Sequence, residues 1–131
     1  MQAQQAPTFH QNFDKFLNYL RDSDTSKFLS PKRFTEVLDI DLQTLAKQAH
    51  VHRNTIQRAP TSAGIQKYIR EALRVLRAAS DISGDVEKAI FWYLNNPLPA
   101  FGYKTAEQLV SDGRSEDVIR YIESLDGGAV G

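Results

Sequence analysis

DLQTLAKQAHVHRNTIQR, residues 41–58, sets the architecture expected of the whole chain. Leu45, Ala49, Val51 and Ile56 are apolar at the spacing with which two short crossed helices and their turn share one core. Ala46 is small where the second helix presses closest. The pattern predicts one helix from about Leu42 to Ala49, with Asp41 placed to cap it, and a second over roughly His52 to Arg58. The second stops before Pro60, because a residue preceding proline is pushed out of the helical region. This is the spacing of a helix-turn-helix, whose second helix offers its N-terminal residues to the major groove of DNA. Its turn usually holds a left-handed glycine. Here the position is His50, and histidine is among the residues that enter that region at a cost of about 1 kcal/mol.

The side chains on the second helix suit base reading. Arg53 and Arg58 offer the donors that match guanine, and Asn54 and Gln57 can pair with adenine's donor and acceptor. His52 and Thr55 complete that surface. Gln43 and Thr44, at the start of the first helix, are candidates to hold phosphate through backbone N–H groups. His50 and His52, with Asp39 and Asp41 nearby, make too poor a ligand set for a metal, and none is expected.

Outward from this unit, every periodic segment repeats at the helical spacing, so the fold class is all-α. Phe9, Phe13, Phe16, Leu17 and Leu20 predict an amphipathic helix over roughly 9–21, a candidate for dimer or partner-protein contact and equally a core helix. Ser30-Pro31 opens a short helix buried through Phe34, Val37 and Leu38. The longest pattern spans Gly64 to Ser80, with Ile65, Tyr68, Ile69, Ala72, Leu73, Leu76 and Ala79 on one stripe. Lys67, Arg70, Arg74 and Arg77 lie on another, either as a phosphate rail or as a solvated face with a Lys67–Glu71 pair. Helices are also expected over Asp85 to Asn95, from a Thr105–Gln108 capping box to Gly113, and from a Ser115 cap through Val118, Ile119, Ile122 and Leu125. Three regions follow: 1–29, an N-terminal helix and linker; 30–80, the DNA-binding domain; and 81–131, a C-terminal domain with a tail.

The chain has 131 residues, 41% hydrophobic and 24% charged, the balance of one small globular unit. It has no cysteine, which excludes disulfides, thiolate zinc sites and Cys nucleophiles. Met1 to Pro7 lack the basic start and apolar stretch of a signal peptide, and no apolar run approaches membrane-spanning length, so a cytoplasmic protein is expected. There is no glycine-rich phosphate loop and no serine in a nucleophile turn; the protein is not expected to be an enzyme or to need a cofactor. The formal net charge of +0 conceals a division. Residues 27–80 hold ten basic and four acidic residues, a net +6, whereas 81–131 hold four basic and nine acidic, a net −5. The two ends suit different partners, the basic one attracting phosphate.

Residues 92–131 read WYLNNPLPAFGYKTAEQLVSDGRSEDVIRYIESLDGGAVG. Here Trp92 and Leu94 end a helix, and Pro97, Ala100, Phe101 and Gly102 follow. Lys104-Thr105 then precedes Leu109-Val110, Gly113, a helix carrying Val118 and Ile122, and a tail with Gly128. This resembles the toxin-binding C-terminal domain of the Xre/MbcA/ParS-type antitoxin family, and with the helix-turn-helix the resemblance covers about residues 30–131. The chain departs from the pattern at Ala106, where proline is usual, and in ending Ala-Val-Gly. The resemblance implies the antitoxin of a type II toxin-antitoxin system, partner to a RES-type toxin that consumes NAD. Such a protein covers the toxin's active-site entrance and acts as a transcription repressor of its own operon. Trp92, Phe101 and Lys104, with Gly127, Gly128, Ala129, Val130 and Gly131, would then contact the toxin, the small tail entering its cleft. A homodimer on operator DNA is expected, since paired half-sites need paired reading helices. The competing reading is a stand-alone helix-turn-helix regulator with a C-terminal protein-interaction domain.

Overall fold

A computed structural model describes residues 6–21, 23 and 26–126. Its elements are α1 (Phe13–Leu20), α2 (Pro31–Leu38), α3 (Leu42–Ala49), α4 (Arg53–Arg58), α5 (Ala63–Ser83), α6 (Val86–Asn95), α7 (Ala106–Ser111) and α8 (Ser115–Asp126). One turn of 3-10 helix, Pro99–Phe101, lies between α6 and α7. Among the described residues no strand forms, only two isolated bridges, Arg21 to Leu29 and Leu98 to Lys104. The fold is all-α, and no described helix is long and apolar enough to cross a membrane.

Local chemistry sets most of the boundaries. The Ser30 hydroxyl accepts from the Arg33 N–H, and Pro31 occupies the first turn of α2. Asp41 and Asp85 cap α3 and α6 in the same way, accepting from the N–H groups of Thr44 and Lys88. Thr105 and Gln108 form the reciprocal capping box of α7. Gly84, at φ 76°, ends α5 in the left-handed conformation that glycine adopts without strain.

Two boundaries differ from the periodicity. The first helix begins at Phe13 rather than Phe9, because residues 9–12 form a turn in which Asn12 N–H reaches the Phe9 carbonyl and His10 is left-handed. Asn12 becomes the cap, accepting from the Lys15 N–H. Ser115 does not cap α8. It is the first helical residue, and its hydroxyl donates to the Glu71 carboxylate on α5.

α5 is the axis of the molecule. It packs most extensively on α6 and α8 and also meets α2, α3 and α7. That explains why its middle is buried on nearly every side, Val75 included: between Ile65 and Ser80 only Lys67, Arg70, Arg74 and Arg77 are exposed. The buried apolar residues form one continuous core, from Phe9 in the N-terminal segment to Ile122 in α8. α1 is a core helix: Phe13, Phe16 and Leu20 are buried, and the Phe16 ring lies 5.3 Å from that of Phe9 and 5.4 Å from that of Phe13. Arg33 closes its C-terminal end, donating to the carbonyls of Tyr19 and Arg21, both at 2.8 Å.

A buried amide organises the loops around this axis. Gln66, 2% exposed on α5, accepts from Leu29 N–H at 2.9 Å and donates to the carbonyls of Leu29 and Pro60 at 2.8 and 2.9 Å. One side chain thereby fixes both the approach to α2 and the exit from α4.

Candidate nucleic-acid interface

α3 and α4 meet through a three-residue connection, with His50 at φ 58°, ψ 40° in the left-handed region. The turn closes on α3 through hydrogen bonds from His50 N–H to the Lys47 carbonyl and from Val51 N–H to the Ala46 carbonyl. Leu45, Ala46 and Ile56 are buried between the helices and the rest of the core, while Ala49 and Val51 are half-buried. Full burial of Leu45 and Ile56 stabilises this short pair by about 1.5–3 kcal/mol each.

That packing consumes one side of α4 and leaves the other in water. His52, Arg53, Asn54, Gln57 and Arg58 are exposed and Thr55 is half-buried, so the residues expected to read bases share one solvent-facing surface. His52 also caps α4, its Nδ1 accepting from Asn54 N–H at 3.1 Å; the neutral ring then carries its proton on Nε2 and presents a donor.

The start of α3 is different. Gln43 is exposed and Thr44 half-buried, but the Asp41 carboxylate takes the Thr44 N–H at 2.7 Å. This bond, with the Thr44 hydroxyl and the nearby Arg53 cation, holds the Asp41 carboxyl below its usual range. The expected phosphate grip through the Thr44 N–H is therefore filled by a carboxylate, which also repels phosphate.

Half of the basic strip of α5 is paired within the fold. Arg74 bonds to Glu71 at 3.0 Å and to Glu116 of α8. Arg77 bonds to Asp14 at 3.1 Å and lies over the Phe13 ring. Glu71 is thus held by Arg74 and Ser115, not by the Lys67 expected four residues earlier. Lys67 and Arg70 make no ion pair among the described residues.

The turn before α4 is also tied to the C-terminal half. His50 Nε2 donates to the Ser111 carbonyl at 2.8 Å, and the Ser111 hydroxyl donates to the Gln48 carbonyl at 2.9 Å, joining the ends of α3 and α7. Behind this junction the Tyr68 hydroxyl donates to Gln48 Oε1 at 2.8 Å. Tyr93 Oη and Glu107 Oε2 are buried there without a hydrogen-bond partner. Burial pushes the Glu107 carboxyl above its ordinary value, offset in part by Gln48. Burial likewise raises Tyr68 and Tyr93.

Three of the residues assigned to toxin contact, Trp92, Phe101 and Lys104, fall within the described part of the structure. Trp92, half-buried on α6, lines two adjoining depressions. One, about 520 Å³, is bordered by Glu87, Phe91 and Asn95; the other, about 240 Å³, by Ala79, Ile82, Ile122 and Leu125. Phe101 instead packs edge-on against Tyr121 at 5.8 Å beneath Arg114, and Lys104 pairs with Asp112 at 2.7 Å. Gly127 to Gly131 lie outside the described residues. Leu125, expected on the buried face of α8, is 42% exposed and borders the smaller depression together with Ile82 near the end of α5. Phe91, 61% exposed, was missed by periodicity. Its signal was available: it falls opposite the Val86, Ala89, Ile90 and Tyr93 stripe, where a solvated helix would carry a polar residue.

No protein-family model, curated protein or solved structure matches the chain.

Proposed function

We propose that this chain is the antitoxin of a type II toxin-antitoxin pair, acting in the cytoplasm. In this reading α3 and α4 are a helix-turn-helix that binds operator DNA as a homodimer. The region 81–131 covers the active site of a RES-type, NAD-consuming toxin. The observation that carries it is α4: a short helix anchored by Ile56 and the left-handed His50, with Arg53, Asn54, Gln57 and Arg58 all in solvent. Guanine- and adenine-matching groups clustered on a face that no core packing requires are what major-groove reading uses. The toxin half rests on the resemblance of residues 92–131 to the antitoxin domain, and the exposed Phe91 beside Trp92 supports it as an unpartnered aromatic surface.

The test has two arms. Binding of the chain to DNA upstream of its own reading frame is measured with Arg53→Ala and Asn54→Ala. Each lost base contact costs about 1–3 kcal/mol, roughly 5- to 150-fold in affinity, with the fold intact because both side chains are exposed. Unchanged affinity refutes α4 as the reading helix. The chain is also co-expressed with the product of the adjacent reading frame. Rescue of growth and copurification support the antitoxin; DNA binding without either leaves a stand-alone regulator.

A further inference from the structure

Far from α4, the N-terminal segment meets the first turn of α6 through three metal-ligating side chains. His10 Nδ1 lies 3.7 Å from Glu87 Oε1 and 3.9 Å from Asp85 Oδ2, and the three donor atoms all lie within 4.8 Å of one another. Residues 10 and 85 are distant in sequence, so the fold itself assembles this set.

We infer that His10, Asp85 and Glu87 form a binding site for a divalent transition-metal ion of the zinc class, which clamps the N-terminal segment onto α6. The inference is independent of the DNA- and toxin-binding reading.

The geometry can accommodate a cation between the three side chains. Bonds of about 2.0–2.2 Å to nitrogen and carboxylate oxygen put tetrahedral donors a little over 3 Å apart, so modest side-chain rotations close the set around an ion. The backbone beneath is already fixed. Glu87 accepts from the N–H groups of Phe9 at 2.9 Å and His10 at 2.8 Å, and Val86 N–H donates to the His10 carbonyl at 2.6 Å. The ring is oriented too. Its outer nitrogen, Nε2, lies 3.4 Å from the Thr8 hydroxyl, the kind of outer-shell partner that turns the other nitrogen toward a metal.

The donor chemistry narrows the ion. One imidazole and two carboxylates suit zinc and its neighbours, whereas magnesium and calcium prefer oxygen alone. Three protein ligands leave the fourth position to water. Asp85 caps α6 through Oδ1 and offers Oδ2 to the site, whereas Glu87 Oε1 already accepts from the His10 N–H and offers its second lone pair. His10 is well exposed, so an ion enters from solvent without opening the core.

The probe is Zn²⁺, titrated calorimetrically into the full chain at neutral pH, with thermal melting as a second readout. Wild type binds one equivalent and melts at a higher temperature with Zn²⁺, and a large excess of Mg²⁺ does not compete. His10→Asn keeps a residue that tolerates the left-handed backbone and removes the imidazole; Asp85→Asn keeps a competent helix cap and removes a charged ligand. Each weakens Zn²⁺ binding at least tenfold and abolishes the melting shift. Thr8→Val weakens binding about tenfold with the ligands intact. His50→Asn and His52→Asn leave it unchanged. The inference is overturned if wild type shows no saturable Zn²⁺ binding, if binding survives His10→Asn, or if it depends on His52 instead. If His10→Asn destabilises the chain equally with and without Zn²⁺, only an ion pair stands at this place and the inference is likewise overturned.

Discussion

Replacing Gln66 with leucine keeps the size of a buried side chain and removes its three hydrogen bonds. Gln66→Leu strands the Leu29 N–H, the Leu29 carbonyl and the Pro60 carbonyl. Leu29 is buried, so its two groups lose their partners without gaining water; Pro60 is half-buried, and its carbonyl can be rehydrated. Two orphaned buried groups at about 1–3 kcal/mol each give roughly 2–6 kcal/mol. The better transfer of leucine into the core returns about 1 kcal/mol, for a net loss of about 1–5 kcal/mol. Against a typical total of about 5–15 kcal/mol, that is a severe mutation with no change in volume to account for it. Urea unfolding followed by helical circular dichroism measures the loss directly, and Gln66→Glu separates its parts. That variant still accepts from the Leu29 N–H but faces both carbonyls with a carboxylate, so its proton is favoured in the folded state. Its stability is highest in acid and declines as pH rises through the raised folded value. A Gln66→Leu protein within about 1 kcal/mol of wild type, or a Gln66→Glu protein with wild-type pH dependence, refutes the argument that this amide fixes the two loops.

Substitutions at two further positions probe the junction between the halves. Glu107 has a folded pKa raised by burial, so its contribution is present below the ordinary carboxylate value and is lost as pH rises through the raised one. Melting temperatures of Glu107→Gln should therefore equal or exceed wild type near pH 8 and converge with it or fall below it in acid; a difference that ignores pH removes the argument. At His50, glycine relieves the left-handed backbone whereas alanine keeps its cost, and both lose the bond to the Ser111 carbonyl. His50→Gly should be more stable than His50→Ala by about 1 kcal/mol in chemical denaturation, and the reverse order would mean that position 50 is not left-handed.

What could be read in advance was local. Ser30, Asp41 and Thr105 cap helices because a cap depends on a side chain and N–H groups two or three residues away, and a linear text contains both. The left-handed turn at His50 was legible for the same reason. Ser115 misled because its capping position competed with Glu71, a partner 44 residues away that no local pattern reports. Phe9 misled because its apolar spacing continued the first helix, while Glu87 held the backbone of residues 9 and 10 in a turn. Gln66 looked like one polar residue in an amphipathic run, and only the return of two loops onto α5 made it a buried amide. The surface of α4 was legible, since few side chains there had any packing partner to compete for them. The place of Phe101 and Lys104 was not, because Tyr121 on α8 and Asp112 at the end of α7 claim them.

The division of charge along the chain bears on function less directly than its arithmetic suggests. Of the basic residues between 27 and 80, Arg33 is spent on the carbonyls that close α1, Arg74 on Glu71 and Glu116, and Arg77 on Asp14. These are the contacts that bind the basic middle of the molecule to its own acidic end and to its first helix. What remains for phosphate lies mainly on α3, α4 and the near end of α5, at Lys47, Arg53, Arg58, Lys67 and Arg70, all exposed. The net +6 therefore overstates the field a duplex would meet, and the far half of the basic strip works as internal fastening rather than as a rail. A nucleic-acid reading of this chain thus stands on the geometry of one short helix and the few cations around it, and the alanine variants at Arg53 and Asn54 bear on it more decisively than any measure of overall charge.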